Sequence, residues 1–333
     1  MRGLNIARDV RILAPSSDIL FYTRSCSMET IGGNQFRYYI ETDTQGLSHW
    51  LEVVHSFSPD LIVYDTLLPK PQMTESLLPT IRQVYIMRKC KNEKQKKLFQ
   101  HDFLNHVDLI LIPHTPSDFV HELPQQLKTK SFFVGPIVRP PDQDILNELR
   151  LKYRIDQSDF LLTSTVGGGG FEEEADAFFQ KVFAIHKRLY PILPNLRHLV
   201  IKGPNYKKSL KPQKGMNVFS CEPEMVSLFD ISDVVIAEGG YNSVNEVRLV
   251  KTPAIFLPSM RNYDDQEERV RSLEKKGFAH VFISGSPDQI AKKVVEIISS
   301  KSCLMAMRES YKADHMERGN RQAAERILEV INN

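Results

Sequence analysis

Short apolar runs alternate with amphipathic stretches along most of the chain. The runs are rich in Val, Ile and Leu, which is typical of buried strands, and the stretches between them repeat apolar residues at helical spacing. In the first half the predicted strands are Ile19–Thr23, Phe36–Glu41, Leu61–Tyr64, Val84–Met87, Leu109–Ile112 and Phe132–Val134. The predicted helices are Gly3–Ala14, Ser48–Phe57 and Glu93–His106. Such alternation predicts an α/β domain with a parallel sheet covered on both faces.

The pattern restarts after a proline-rich segment, Phe132–Pro141, which we interpret as a domain boundary. Beyond it the predicted strands are Phe160–Val166, His198–Ile201, Asn217–Ser220, Val234–Ala237, Ala254–Leu257 and His280–Ile283. The predicted helices are Asp144–Tyr153, Glu172–Tyr190, one starting at Asn242, Asp264–Lys276, Pro287–Ser300 and Asp314–Ile331. The second half is therefore predicted to form a similar α/β domain.

One glycine turn in the second half lies between a predicted strand and a helix. Gly239 and Gly240 form the turn, and Asn242 and Ser243 begin the helix. A turn of this kind offers free backbone N–H groups and the positive helix end to an anion. Glu246 lies one turn along the helix, on the face that looks back toward the turn. Its carboxylate is placed to accept hydrogen bonds from the two hydroxyls of a ribose.

A second glycine turn follows the first predicted strand of this half and consists of Gly167, Gly168, Gly169 and Gly170. Glycine permits a close approach of backbone to phosphate, although a lone glycine cluster is equally consistent with an ordinary loop. Two such turns in one domain favour a phosphate site. Lys202 follows the next predicted strand, at a place where a lysine either pairs with phosphate or simply lies in a surface turn.

Four further polar residues have both a functional and a structural interpretation. Asp265 and Gln266 begin a charged helix and could bind sugar hydroxyls, but an acidic residue is favoured at a helix N-terminus in any case. Asp65 and His114 follow two strands of the first half, and polar groups at such ends line the crevice of a parallel sheet. Either could be the base that deprotonates an acceptor hydroxyl, although both residue types are also common loop caps.

Composition indicates a soluble, globular protein of 333 residues, with 41% hydrophobic and 25% charged residues. A net charge of +2 gives no argument for nucleic-acid binding. The four cysteines have no metal-ligand spacing and are expected to be reduced thiols: Cys26, Cys90, Cys221 and Cys303. No long apolar run or signal sequence is found, so we expect a cytoplasmic protein. The basic cluster Arg88–Lys97 could touch an anionic membrane surface, but a solvated helix start is the simpler interpretation.

The second half resembles the C-terminal signature of GT-B nucleotide-sugar glycosyltransferases, in particular the family 28 group. That group includes the bacterial enzyme that adds N-acetylglucosamine to lipid-linked muramyl pentapeptide. The residues that carry the resemblance are Gly239, Gly240, Asn242, Ser243, Glu246, Pro253, Pro258, Asp265, Gln266 and Gly277. The resemblance implies two Rossmann-like domains that face each other across a cleft. They are an acceptor-side domain at 1–138 and a nucleotide-sugar domain at 139–313, with the final helix, about 314–333, packing back on the first.

The resemblance also implies a reaction and a set of contacts. A sugar would move from a nucleotide-diphosphate sugar, normally a UDP-sugar, to a hydroxyl acceptor with inversion and without a bound metal or other cofactor. The implied contacts are the ribose with Glu246, the diphosphate with Asn242, Ser243 and Gly167–Gly170, and the sugar with Asp265 and Gln266. A nucleotide-sugar 2-epimerase or hydrolase of the same fold is the alternative enzyme, and a non-catalytic donor-binding subunit is a third hypothesis.

Two departures from the family pattern stand out. Lys251 occupies a helix end where the family usually has glycine. The family also begins with a strand and a loop ending in Gly-His, whereas here a helix resembling Arg2–Leu13 comes first. We therefore expect either a chain that starts too late or a trimmed relative with impaired chemistry.

Overall fold

The computed structural model describes residues 1–24, 28, 35–41, 46–77, 79–312 and 314–332, apart from the side chains of residues 301, 303 and 308. The chain divides into two compact units. The first comprises Met1–Val138, Asn262–Asp264 and Glu317–Asn333, and the second comprises Arg139–Arg261 and Asp265–Met316. Cys90 and Cys221 form no disulfide within the described part, while Cys26 and the Cys303 side chain lie outside it.

The first unit contains two parallel sheets. Its strands are β1 Leu20–Thr23, β2 Arg37–Ile40, β3 Leu61–Asp65, β4 Arg82–Ile86, β5 Leu109–Ile112 and β6 Ser131–Phe133. Strands β1 and β2 pair with each other, and the second sheet has the order β3-β4-β5-β6. Parallel pairing is as predicted, but within the described residues the strands divide between two sheets instead of forming one.

Helices cover these sheets. They are α1 Arg2–Leu13, α2 Gly46–Phe57, α3 Pro71–Glu75, α4 Asn92–Phe99, α5 Phe103–His106, α6 Pro116–Phe119 and α7 Gln125–Lys128. The predicted helix Glu93–His106 is thus two helices. The reason is packing: the Phe103 ring turns into the core and meets the rings of Tyr64 and Tyr85 edge-on, at centroid distances of 5.0 and 5.9 Å.

The second unit is built on one six-stranded parallel sheet. Its strands are β7 Phe160–Thr165, β8 Leu196–Ile201, β9 Met216–Phe219, β10 Val234–Ala237, β11 Ala254–Phe256 and β12 Ala279–Val281. The order is β12-β11-β10-β7-β8-β9, so the chain winds outward from β7 in one direction and from β10 in the other. The two central strands are buried along almost their whole length, which explains the uninterrupted apolar sequence of β10. Strand β7 also buries Thr163 and Ser164, whose hydroxyls form hydrogen bonds with Ser232 and His198.

Helices α8 to α14 flank this sheet. They are α8 Ile145–Lys152, α9 Glu172–Leu189, α10 Met225–Asp230, α11 Tyr241–Val250, α12 Gln266–Lys275, α13 Pro287–Ser299 and α14 Lys301–Lys312. The last helix, α15 Asn320–Asn332, returns to the first unit, where Ala323, Ala324 and Ile327 join the core formed by Ile6 and Val10 of α1. No helix in the described part of the chain is both long and apolar enough to span a membrane.

Candidate functional site

The two glycine turns follow neighbouring strands at the centre of the six-stranded sheet. Strands β7 and β10 pair in parallel, with Thr165 opposite Ala237 at their carboxyl ends. Strand order reverses at this pair, because the chain proceeds to β8 on one side and to β11 on the other. Ligands of open parallel sheets bind in the crevice at such a reversal point. The sequence-predicted glycines therefore lie where a ligand is expected.

Glycine is required in the first turn by close backbone packing. A Cβ atom on Gly203 would lie 2.1 Å from the carbonyl oxygen of Gly167, and Gly203 has a φ of +86°. A Cβ atom on Gly169 would lie 2.6 Å from the Lys202 carbonyl oxygen, at a φ of +68°. The first turn is therefore held against the loop that follows β8.

The second glycine turn leads directly into helix α11, whose start lies beside the first glycine turn. Gly240 is the N-cap of α11, and no side chain caps this helix end. A Cβ atom on Gly167 would lie 3.5 Å from the Ser243 hydroxyl oxygen. The first glycine turn therefore lies beside the first helical turn of α11. Asn242 is half-buried at the same helix end. Uncapped N–H groups at a helix start favour an anion.

Glu246 is buried beneath this helix end. Glu246 is 8% exposed, and within the described part of the chain no group donates a hydrogen bond to its carboxylate. Burial raises the pKa of Glu246 to about 7, while the charge of Arg139 acts in the opposite direction. A buried carboxyl group without donors is costly, and hydroxyl donors on a ligand would remove that cost.

Gln266 and Asp265 both have structural roles. The Gln266 side-chain oxygen accepts hydrogen bonds from the N–H groups of Gly239 and Ser259, each at 3.2 Å. Asp265 is the N-cap of α12 and accepts from the Glu268 N–H at 3.0 Å. The structure thus brings Gln266 to the second glycine turn, while Asp265 makes the helix-capping contact that its residue type favours.

The Lys202 side chain has partners within the loop that follows β8. Its Nζ donates to the Lys208 carbonyl oxygen at 2.8 Å and lies 5.7 Å from the centroid of the Tyr206 ring. This lysine therefore stabilises the loop after β8, in line with the structural interpretation of the sequence.

Two functional candidates near the turns were not predicted. Glu238 follows the last residue of β10, directly before Gly239, and pairs with Arg261 at 2.8 Å. Arg261 also lies 3.9 Å from the centroid of the Phe171 ring, which follows the first glycine turn. The only sequence signal was a glutamate at the end of a buried apolar strand, because the partners come from three separate segments.

In the first unit, Asp65 and His114 have partners of their own. Asp65 accepts from Arg2 at 2.8 Å and from the Thr66 hydroxyl at 3.0 Å. Removal from water would raise the pKa of Asp65, but the charge of Arg2 and these hydrogen bonds outweigh it, so the pKa is lowered. The Nε2 atom of His114 accepts from the Lys89 N–H at 3.1 Å.

The same hydrogen bond anchors the start of the basic cluster Arg88–Lys97. Within the cluster, Lys96 pairs with Glu93 at 3.1 Å, and Lys94 lies 4.7 Å from the centroid of the Tyr263 ring. No group of His, Cys, Asp and Glu residues in the described part has the geometry of a metal site.

Residues 165–326 match the glycosyltransferase family 28 C-terminal domain. The chain has the GT-B fold, and just under half of its length matches this family 28 domain. The match begins at the last residue of β7 and takes in both glycine turns, Glu246 and Gln266. The predicted resemblance and the predicted fold are both confirmed.

Curated relatives resemble part of this chain, and solved structures share its fold. Over 139 residues the chain is 26% identical to the UDP-N-acetylglucosamine–N-acetylmuramyl-(pentapeptide) pyrophosphoryl-undecaprenol N-acetylglucosamine transferase of Geobacillus thermodenitrificans, covering 41% of this chain and 37% of that protein. The spinosyn forosaminyltransferase SpnP superposes with a TM-score of 0.66 at 11% identity, covering 100% of this chain and 96% of that one. A putative UDP-N-acetylglucosamine 2-epimerase from Listeria monocytogenes has a TM-score of 0.61 at 11% identity, with 98% and 92% covered. The chain spans about half or less of the length of the curated relatives it matches.

Proposed function

We propose that this protein transfers a sugar from a UDP-sugar to a hydroxyl acceptor, with inversion and without a bound metal. The acceptor oxygen, deprotonated by a base, forms a bond to the anomeric carbon while the bond from that carbon to the diphosphate breaks. The leaving UDP carries the developing negative charge, which the uncapped N-terminus of α11 would stabilise. Asp65 and His114 stay the candidates for the base.

The buried carboxyl group of Glu246 carries this proposal. It lies one turn below an uncapped helix end that meets both glycine turns, and no described group donates to it. A nucleoside diphosphate supplies the matching groups: two ribose hydroxyls for the carboxylate and a diphosphate for the N–H groups. Uridine is proposed because the Geobacillus relative uses a UDP-sugar.

The experiment is calorimetric titration with UDP-N-acetylglucosamine, UDP-glucose, a GDP-sugar and a dTDP-sugar. We expect a UDP-sugar to bind and Glu246→Ala to weaken its binding by about tenfold or more, because charged hydrogen bonds to two hydroxyls are lost. Glu296→Ala is the matched control, since Glu296 lies on α13 and pairs with Lys293. The proposal is wrong if no nucleotide sugar binds, or if Glu246→Ala leaves the affinity unchanged.

A UDP-sugar 2-epimerase or hydrolase is the second candidate, favoured by the structural similarity to the Listeria protein. Incubation with the UDP-sugar alone separates the two activities. An epimerase or hydrolase converts the donor without an acceptor, whereas a transferase leaves it intact until an acceptor is added.

A donor-binding subunit without activity is the third candidate. The observation in its favour is that Asp65 is already paired with Arg2 and that His114 already accepts a backbone hydrogen bond. Tight donor binding without turnover, with or without an acceptor, would support this candidate over the two enzymes.

A further inference from the structure

Arg261 joins three segments of the second unit through one buried side chain. Its Nη2 atom donates to Glu238 at 2.8 Å, and its Nη1 atom lies 3.5 Å from Glu174 at the start of α9. The guanidinium group lies 3.9 Å from the Phe171 ring centroid. The arginine side chain is only 8% exposed. The planar guanidinium group makes one hydrogen bond, one longer ion pair and one ring stack at the same time, and a lysine ammonium group does not reproduce that combination.

These contacts link the two glycine turns. Phe171 directly follows Gly170, the last residue of the first turn, and Glu238 directly precedes Gly239, the first residue of the second. A single side chain therefore holds the exit of one turn and the entrance of the other.

Charge gives Arg261 a second role. Glu238 is 3% exposed, and an ionised carboxylate beside a bound diphosphate would repel it. The guanidinium group neutralises that carboxylate at a place where water is largely excluded. Removing the arginine would thus both loosen the turns and leave a negative charge next to the anion site.

We propose that Arg261 is a positioning residue of the nucleotide-sugar site, which fixes the two glycine turns at the spacing that the diphosphate requires. This inference rests on the proposed function. Arg261 acts through Phe171 and Glu238, and it needs no contact with the sugar.

The test uses variants that separate the contacts. Arg261→Met combined with Glu238→Gln removes the pair without leaving a buried unpaired charge. Phe171→Leu removes only the stack, and it is expected to fold because Phe171 is 59% exposed. Arg261→Lys keeps the charge alone. Arg188→Ala is the control, because Arg188 forms an ion pair with Asp288 at the opposite end of α9.

Two measurements are made on each variant: the Kd for the UDP-sugar by calorimetry, and hydrogen exchange at the amides of Gly167–Phe171 without ligand. In the double variant we expect the Kd to rise by about tenfold or more and these amides to exchange faster. For Arg261→Lys and Phe171→Leu, the Kd and the exchange rates should lie between those of the double variant and those of the wild type. Arg188→Ala should change neither quantity.

Unchanged exchange and unchanged affinity in both the double variant and Phe171→Leu would overturn the inference. The outcome is distinct from a failure of the proposed function. If the wild type binds no nucleotide sugar, the proposed function fails, and faster exchange in these variants would still show that Arg261 holds the turns.

Discussion

The side-chain oxygen of Gln266 accepts hydrogen bonds from the N–H groups of Gly239 and Ser259, both at 3.2 Å. One amide therefore joins the second glycine turn to the loop before α12. The Gly239 N–H is occupied, so a diphosphate would be left with the N–H groups further along, at the start of α11. Only the Gln266 NH₂ group is left to donate to a sugar hydroxyl.

Gln266→Leu should therefore lower the free energy of unfolding by about 1–3 kcal/mol, because two backbone N–H groups lose their acceptor in a buried place. Urea unfolding gives the number. Glu267→Gln, at the next and exposed position, is the control and should stay within about 0.5 kcal/mol of the wild type. Equal stability of both variants would show that the Gln266 contacts are dispensable.

Gly203→Ala should destabilise the protein by about 2 kcal/mol or more, because the new methyl group meets the Gly167 carbonyl oxygen at a φ of +86°. Gly240→Ala is the matched glycine substitution. Its Cβ atom would meet nothing within 4 Å, and its φ of −62° suits any residue, so only a small loss is expected. Thermal unfolding of both variants in parallel tests this difference. Similar losses of stability in the two variants would contradict the prediction.

Local patterns predicted the second unit well. Strand Val234–Ala237 has the predicted bounds, because a fully buried strand must be apolar at every position. Helix α10 was missed because it has only six residues, too few for a periodic pattern. In the first unit, the division of the strands between two sheets depends on long-range pairing that a local pattern does not encode.

The candidate site also contains residues that a local pattern predicts and residues that it does not. Glycine turns and Glu246 were predictable because turn, helix start and carboxylate lie within one short segment. Arg261, Glu238 and Phe171 meet only in three dimensions, so no spacing in the sequence indicates their contact. For Gln266, the sequence predicted the place but not the backbone partners that occupy its oxygen.

Lys251 adopts the left-handed conformation, φ 60° and ψ 28°, as the C-cap of α11. Glycine is the usual residue for this conformation at a helix end, and a side chain in this region is strained. Lys251→Gly should therefore raise the free energy of unfolding by about 0.5–1 kcal/mol. Lys276→Gly is the control at the end of α12, where φ is −83° and glycine brings no relief. A stabilised Lys276→Gly would contradict the strain argument.

A buried histidine pair makes the second unit sensitive to acid. His186 Nε2–H donates to the Lys214 carbonyl oxygen at 2.9 Å, so its Nδ1 accepts from His198 Nδ1–H at 3.1 Å. His198 Nε2 then accepts from the Ser164 hydroxyl at 2.8 Å. Burial lowers the pKa of both histidines, and the neighbouring His186 adds to the effect on His198.

The lowered pKa values of the two histidines determine how stability changes with pH. The pair is neutral when folded, so its contribution to stability is complete above pH 6.5 and is lost as the pH falls below that value. Between pH 8 and pH 5.5, wild type should lose about 1 kcal/mol more unfolding free energy than His198→Gln. His106→Gln, at an exposed histidine, should retain the wild-type pH slope. Urea unfolding at both pH values checks this, and parallel slopes for all three proteins would contradict it.

Glu246→Gln should have opposite effects on stability and on donor binding. Because burial raises the pKa of Glu246 from 4.5 to about 7, the wild type loses stability as the pH rises from about 4.5 to 7. The variant avoids that loss and should be more stable at pH 8 by on the order of 2 kcal/mol, with no difference near pH 4.5. Ribose hydroxyls bind the ionised carboxylate best, so wild-type affinity for the UDP-sugar should rise between pH 6 and pH 8. The variant should bind weakly at both values. Calorimetry gives the affinity for the UDP-sugar, and unfolding of the same samples gives the stability. If Glu246→Gln is less stable than the wild type at pH 8 and binds the UDP-sugar equally tightly, Glu246 lies outside the donor site.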